Sequence, residues 1–227
     1  MKKHIPNLLT LLNLVCGFAA LIYLFKGMPV TASWLIVAGM IFDFSDGFAA
    51  RLLKAYSDLG RELDSLADLV SFGVVPGMIV YTIASEAGNE SMRMVVSALI
   101  PVCAAIRLAR FNSDPGQKEV FRGMPTPAAA MAIISLLLAS QHGSRLATLI
   151  SESATAVLVY SLVIAMMMIL PIRMMSLKFR TLGLRENYDR YLFLLVVVAA
   201  IALTGWGGLF LIIPVYVIVS LAGYLSF

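Results

Sequence analysis

The chain has 227 residues, 60% of them hydrophobic and 13% charged, and its mean hydropathy is +0.91. Soluble domains are about 45–50% apolar and about 25% charged, so this chain has too few polar residues to clothe a surface facing water. A soluble enzyme, a disordered chain and a nucleic-acid-binding domain are excluded, the last despite a net charge of +4, because the basic residues lie between long apolar runs; the fold class is an all-α polytopic membrane protein.

A helix crossing a hydrocarbon core of ~30 Å needs about 20 apolar residues. Runs of that kind fall at 7–25, 30–50, 64–85, 93–112, 125–141, 154–172, 191–204 and 207–225. The last two are short and parted by Gly205, Gly207 and Gly208, so eight transmembrane helices are predicted, or seven if that pair forms one kinked helix. Lys2 and Lys3 ahead of an apolar run resemble a signal peptide. The run is longer than an h-region of about 7–15 residues and ends without a small-residue cleavage site, which predicts a retained first helix.

Orientation follows from the basic residues. With the N-terminus in the cytoplasm, alternation places 14 of the 17 Lys and Arg residues on the cytoplasmic side and leaves Lys26, Arg93 and Arg145 opposite. The positive-inside rule then predicts both termini in the cytoplasm. Residues 173–190, with five basic residues against Glu186 and Asp189, read as a juxtamembrane segment lying on anionic lipid. Cys16 and Cys103 fall inside apolar runs and read as small hydrophobes, and His4 and His142 share no ligand spacing.

In the first helix Asn7, Thr10, Asn13 and Gly17 are three, three and four residues apart, which at ~100° per residue puts them on one face. Such a stripe is either a helix-packing seam or a face turned to a ligand. The second and third spans carry acids: Asp43 and Asp46 near the end of one, Asp64 and Asp68 near the start of the next. An Asp at the centre of a membrane helix costs roughly 2.5–3.5 kcal/mol, less near the interface. The i,i+3 and i,i+4 spacings present each pair on one helix face. A hairpin through residues 52–60 makes the two helices antiparallel, so the four carboxylates converge just inside the cytoplasmic surface. Salt bridges to Arg51 and Arg61 would leave a charge deficit. Divalent cations would not, and an all-oxygen ligand set favours Mg²⁺, Mn²⁺ or Ca²⁺. Two metals bridged by carboxylates suit displacement at phosphorus; Gly47 would let a ligand approach the helix, and Arg51, one turn on, would hold a phosphate. A divalent-cation transporter would use the same acids as a transit site, but it predicts acids on both halves of a pathway. The opposite side has only Glu86, Glu90 and Glu152, none of them within a span.

From Asp43 to Asp68 the chain reads D-x2-D-G-x2-A-R-x8-G-x3-D-x3-D, with Asp43, Asp46, Gly47, Ala50, Arg51, Gly60, Asp64 and Asp68 at the fixed positions. This segment resembles, without gap or mismatch, the signature of the CDP-alcohol phosphotransferase family. The resemblance implies displacement of CMP from a CDP-linked alcohol or lipid by an incoming hydroxyl, with two divalent metals. It further implies that Asp43, Asp46, Asp64 and Asp68 are metal ligands and that Asp68 is also the general base. Gly47, Arg51 and Gly60 would hold the CDP moiety, and Ser57 and Thr10 resemble less sharply defined positions near the nucleotide. A homodimer is implied as well.

Two further stretches resemble the serine-using branch of the family: residues 7–18, and Arg107, Arg110 and Asn112 followed by residues 121–130. They imply CDP-diacylglycerol as donor and L-serine as acceptor, with Arg107, Arg110, Asn112 and Arg122 as serine-binding candidates. Serine is a zwitterion and needs a cation for its carboxylate and an acceptor for its ammonium. Those arginines equally suit topology and lipid headgroups, and glycerol 3-phosphate or inositol phosphate remain alternative acceptors. The resulting expectation is one integral membrane domain over 1–227, with a catalytic helix pair at about 30–85. Acceptor-side helices and their loop follow at about 93–141, and C-terminal helices at about 154–225. The protein would sit among the lipids of the cell (inner or plasma) membrane with its active site facing the cytoplasm.

Overall fold

The computed structural model describes residues 4–84, 89–113, 121–174 and 188–225. They are helical apart from one two-residue antiparallel ribbon. In chain order the elements are α1 (Ile5–Phe25), α2 (Pro29–Leu52), α3 (Asp58–Asp68), a π-helical segment (Leu69–Val74) and α4 (Val75–Ile83). After α5 (Glu90–Ser113) come β1 (Phe121–Arg122), α6 (Thr126–Gln141), α7 (Arg145–Glu152), α8 (Ala154–Ile169) and β2 (Arg173–Met174). The described chain ends with α9 (Tyr188–Thr204), a 3₁₀ segment (Gly205–Leu211) and α10 (Ile212–Leu225).

Among the described residues three helices are long and apolar enough to cross a membrane unaided: Ile5–Phe25, Asp58–Ile83 and Glu90–Ser113. The number rises to four if α7 and α8, bent by 103° at their junction, count as one span. The expected run at 30–50 does form a helix of 24 residues, but Asp43, Asp46 and Arg51 dilute its apolar character. The run at 125–141 forms a helix of only 16 residues. The separation of the last two runs by glycine is visible as a break: Gly205 takes φ +60° and the chain passes through the 3₁₀ segment before α10 begins.

Local chemistry explains the helix boundaries. Proline occupies the first turn of α1, α2 and α6, where its missing N–H has no intrahelical role. Ser57 caps α3 by accepting from Gly60 N at 3.0 Å. The π turn has a cause in Pro76, which has no N–H to offer the Phe72 carbonyl; the helix widens there before resuming as α4. The structure also holds an element absent from the sequence reading: α7, eight residues long, exposes Leu146 and Leu149. A short helix with one apolar edge lying across the start of α8 has the form of an interfacial helix.

Helix α6 runs through the core, buried on nearly every side from Thr126 to Ala139. Helix α1 has one buried stripe, Pro6, Thr10, Asn13, Gly17, Ala20 and Leu24, and it packs on α2, α3 and the π segment. Gly17 and Gly39 permit that approach: a Cβ at Gly17 would lie 2.5 Å from Ser71 Oγ, and one at Gly39 would lie 2.9 Å from Asn13 Oδ1. Small residues bring membrane helices close in this way.

A candidate active site of clustered carboxylates

The acid pairs meet because of simple helix arithmetic. Asp46 lies six residues before the end of α2, and Asp64 six residues after the start of α3, about 9 Å along each axis at 1.5 Å per residue. Asp43 and Asp68 lie nine and ten residues from the same ends, about 14 and 15 Å in. The five-residue connection 53–57 keeps those ends adjacent, with Lys54 at φ +50° completing the reversal. The hairpin is therefore a ladder with one acid pair on each rung.

Asp43, Asp64 and Asp68 each offer a carboxylate oxygen within 4.8 Å of the other two. Asp68 is buried, and it interacts electrostatically with Asp43, Asp64 and Asp46. Asp46, also buried, stands beside this trio and bears on Asp64. Four carboxylates so close in a medium of low dielectric repel strongly. The donor set is all oxygen, which favours a hard divalent cation over zinc.

The stripe on α1 is turned to these acids. Thr10 Oγ1 donates to Asp46 Oδ2, and Asn13 Nδ2 donates to Asp68 Oδ1 at 3.2 Å. The same Thr10 hydroxyl lies 3.1 Å from the Pro6 carbonyl, and Ser71 Oγ donates to the Asn13 carbonyl at 3.0 Å, which ties the π segment to α1. Asn13 was absent from the expected site residues. The signal that finds it is its position one turn after Thr10, on the face that meets both acid-bearing helices.

The other expected residues are spread around this centre. Nothing lies within 4 Å of a Cβ placed on Gly47, beside Asp46, so the helix surface there is open. Arg51 is exposed and donates Nε to the Gly47 carbonyl at 3.0 Å. A Cβ at Gly60 would meet Asn7 Oδ1 and Ser57 Oγ, each at 3.0 Å. Arg61 pairs not with the clustered acids but with Asp58 at 3.4 Å and Glu62 at 3.7 Å, all exposed.

On the acceptor side, Arg107 is buried, donates Nη1 to Thr126 Oγ1 at 3.3 Å, and interacts electrostatically with Asp68. Asn112 Nδ2 donates to Ser65 Oγ at 2.9 Å, next to Asp64 in sequence. Arg110 is turned elsewhere and donates Nη1 to the Ile169 carbonyl at the end of α8, 3.1 Å away. The backbone of Arg122 pairs with Arg173 in the ribbon; its side chain lies outside the described residues, as do Lys118, Glu86 and residues 175–187.

An all-helical fold with apolar helices and a carboxylate cluster on a helical hairpin fits an intramembrane enzyme that handles phosphate groups. Residues 3–170 match the family model described as CDP-alcohol phosphatidyltransferase. The chain belongs to that family and is an enzyme of that class. It is 40% identical over 134 residues to the CDP-diacylglycerol–serine O-phosphatidyltransferase of Bacillus subtilis, covering 59% of this chain and 75% of that protein. The enzyme of the same name from Helicobacter pylori strain J99 is 42% identical over 138 residues, 59% of this chain and 56% of its own length. An archaetidylserine synthase from Methanothermobacter thermautotrophicus is 31% identical over 160 residues, 70% of this chain and 68% of its own. The match thus spans little more than half of the Helicobacter protein. Family membership replaces the cation-transport alternative.

Proposed function

We propose that this protein transfers the phosphatidyl group of CDP-diacylglycerol to the hydroxyl of L-serine, giving phosphatidylserine and CMP. The observation that carries the reading is the convergence of Asp43, Asp64 and Asp68 on one point of a membrane-embedded hairpin, in a chain whose family and named relatives carry out this type of transfer.

Asp43, Asp46, Asp64 and Asp68 would hold two divalent cations, Mg²⁺ or Mn²⁺, with Ca²⁺ a further candidate. When bound, such ions neutralise pyrophosphate oxygens and stabilise the departing phosphate. The open surface at Gly47, with Arg51 one turn on, receives the nucleotide half; Gly60, Ser57 and Thr10 border it. The diacyl tails remain in the bilayer. Arg107 faces the acceptor's anionic group, with Asn112 as a polar neighbour and Arg110 and Arg122 at the rim. Asp68 Oδ accepts the serine hydroxyl proton while the serine oxygen forms a bond to the lipid-side phosphorus. The bond from that phosphorus to the bridging oxygen breaks, and CMP leaves with the electron pair. Asn13 holds Asp68 in place through its side-chain amide. Neither a histidine nor a covalent serine is needed. A single displacement inverts the phosphorus, and retention with a chiral-phosphate donor would refute it.

In the same reading the chain crosses the membrane eight times with both termini and the active site at the cytoplasmic face, and works as a homodimer. The helix pair at 30–85 serves the donor, and the elements at 93–141 serve the acceptor. The test is direct. Purified protein in liposomes receives CDP-diacylglycerol, Mn²⁺ or Mg²⁺, and labelled serine, glycerol 3-phosphate or inositol phosphate. Serine label entering lipid with CMP release, both stopped by EDTA, is the expected result. CMP release with another acceptor alone keeps the chemistry and overturns serine. No CMP with any of the three overturns the proposal.

A further inference from the structure

Helix α8 stops at a proline, and the way its end is closed ties it to the acceptor side. Pro171 has no N–H to offer the Met167 carbonyl four residues back, and it turns Leu170 out of the helix, to φ −66° and ψ 138°. The last carbonyls of a helix need partners from beyond it. Met166 O keeps Leu170 N at 3.0 Å, but Met167 O receives Met124 N at 2.8 Å, and Ile169 O receives Arg110 Nη1 at 3.1 Å. The end of α8 is therefore capped by the end of α5 and by the segment that leads into α6.

Gly123 makes this closure possible. Its backbone is left-handed, φ +81°, a conformation that side chains with a Cβ resist. Its Cα lies against α8: a Cβ there would collide with the Met168 carbonyl oxygen and lie 3.2 Å from that of Leu170. Its N–H donates to Ile172 O at 2.8 Å, and the two strands run on as the β1–β2 ribbon, Phe121 opposite Met174 and Arg122 opposite Arg173. Met124 and Met168 are both buried. Next comes Pro125, with φ held at −58°, and then Thr126, fully buried in the first turn of α6. The Thr126 hydroxyl accepts from Arg107 Nη1 at 3.3 Å. Three residues of chain, one of them a proline, thus separate the close approach at Gly123 from the group that holds Arg107.

We propose that Gly123 is a positioning residue. It latches the segment between α5 and α6 onto the proline-ended terminus of α8, and through Thr126 that latch sets where the Arg107 guanidinium stands when it receives the anionic group of the acceptor. Arg110 serves the same latch from α5. The inference rests on the function proposed above in taking Arg107 as the acceptor's cation.

The test uses the full-length protein in liposomes and compares wild type with Gly123→Ala, Pro171→Ala, Thr126→Val and the double variant of the last two. Gly143→Ala is the control, since Gly143 is also left-handed, φ +83°, but has nothing within 4 Å of an added Cβ. Pro171→Ala restores an N–H that competes with Met124 for the Met167 carbonyl. It loosens the latch without adding bulk, and it decides the matter if Gly123→Ala fails to fold. CMP release is measured against acceptor and donor concentration separately, per folded molecule, and amide hydrogen exchange is read on the peptide that carries Gly123 and Met124. Gly123→Ala is expected to lower kcat/KM for the acceptor by about ten- to a hundredfold, the scale of misplacing a substrate-holding group by about 1 Å. Pro171→Ala should lower it by about three- to tenfold, the scale of one weakened backbone hydrogen bond. Both should speed exchange at the latch and keep the donor KM, and Gly143→Ala should change none of these. The Pro171→Ala effect should vanish in the Thr126→Val background. Three results would overturn the inference with the proposed chemistry intact: acceptor kinetics equal to wild type in the folded latch variants, equal losses for donor and acceptor, or a Pro171→Ala effect that persists in full without the Thr126 hydroxyl. Failure of the wild type to release CMP with any acceptor overturns the proposed function, and this inference with it.

Discussion

Helices α1 and α6 both contribute buried residues, and they use burial in opposite ways. Helix α6 is buried on nearly all sides by alanine, leucine and isoleucine, and its mid-helix hydroxyl, Ser135, is satisfied within the helix by the Ala132 carbonyl at 2.9 Å. Helix α1 buries one stripe only, and the amide and hydroxyl on it are spent on carboxylates of other helices. A helix apolar all round is a packing spine whose positions matter by volume. A helix whose buried face is polar matters atom by atom, because each group removed leaves a charged partner short of a donor. Substitutions of the polar groups on α1 and of the acids they meet should therefore strike turnover, and those on α6 stability.

The largest effect is expected at the acid that α1 holds. Asp68→Asn keeps the shape and the Asn13 contact but removes the proton acceptor, and CMP release should fall by about 10³-fold, within the range for loss of a general base. Binding of CDP-diacylglycerol, measured separately, should be largely kept. Equal loss of both would assign Asp68 a purely metal-holding role.

Asn13→Ala comes next. It removes the Nδ2 donor from a buried carboxylate, and hydrogen bonds to charged groups are worth about 1.5–3 kcal/mol, so turnover should fall by roughly ten- to a hundredfold. Turnover equal to wild type would place the Asn13–Asp68 contact outside the catalytic state and reduce the α1 stripe to a packing seam.

The sequence shows why Asn13 was legible only in part. The stripe on α1 follows from helical periodicity, and the convergence of the acids follows from two spacings and a short hairpin; both are local rules. Which acid meets which amide depends on how α1 rotates against α2 and α3, and that rotation is set by the close approaches at Gly17 and Gly39, which no single helix records. Elements too short for a period stayed hidden for the same reason. The two-residue ribbon has no alternation to read, and α7 has eight residues, far below a span, although Ser144 supplies it with an N-cap signal. Arg110 illustrates the limit for side chains. Its sequence position suits an acceptor site, but the unsatisfied carbonyls at the end of α8 are an equally good destination for a guanidinium, and Ile169 lies within its reach.

Two glycines, Gly17 on α1 and Gly47 beside Asp46, sharpen the comparison. Gly17→Ala puts a Cβ 2.5 Å from Ser71 Oγ and 3.1 Å from the Ser71 backbone, and overpacking of this kind costs about 1–3 kcal/mol. The thermal midpoint in detergent should drop, with activity falling in step with the folded fraction. Gly47→Ala meets nothing within 4 Å and gains helix propensity, so its midpoint should hold or rise while the donor KM increases severalfold. If both variants lose the same property, Gly47 is a packing glycine and the open surface beside Asp46 does not receive the nucleotide.

The smallest effect is expected on α6 itself. Ile134 is fully buried, so Ile134→Val removes one methyl from a close-packed spine. Loss of about 1 kcal/mol is the usual scale for that change, read as a small fall in the thermal midpoint, with kcat and both KM values per folded molecule unchanged. A selective change in the acceptor KM here would mean that α6 transmits its packing to Arg107 through Thr126. In that case the division between a spine that only packs and a stripe that only serves chemistry would break at the Arg107–Thr126 contact, which ties α6 to the acceptor side.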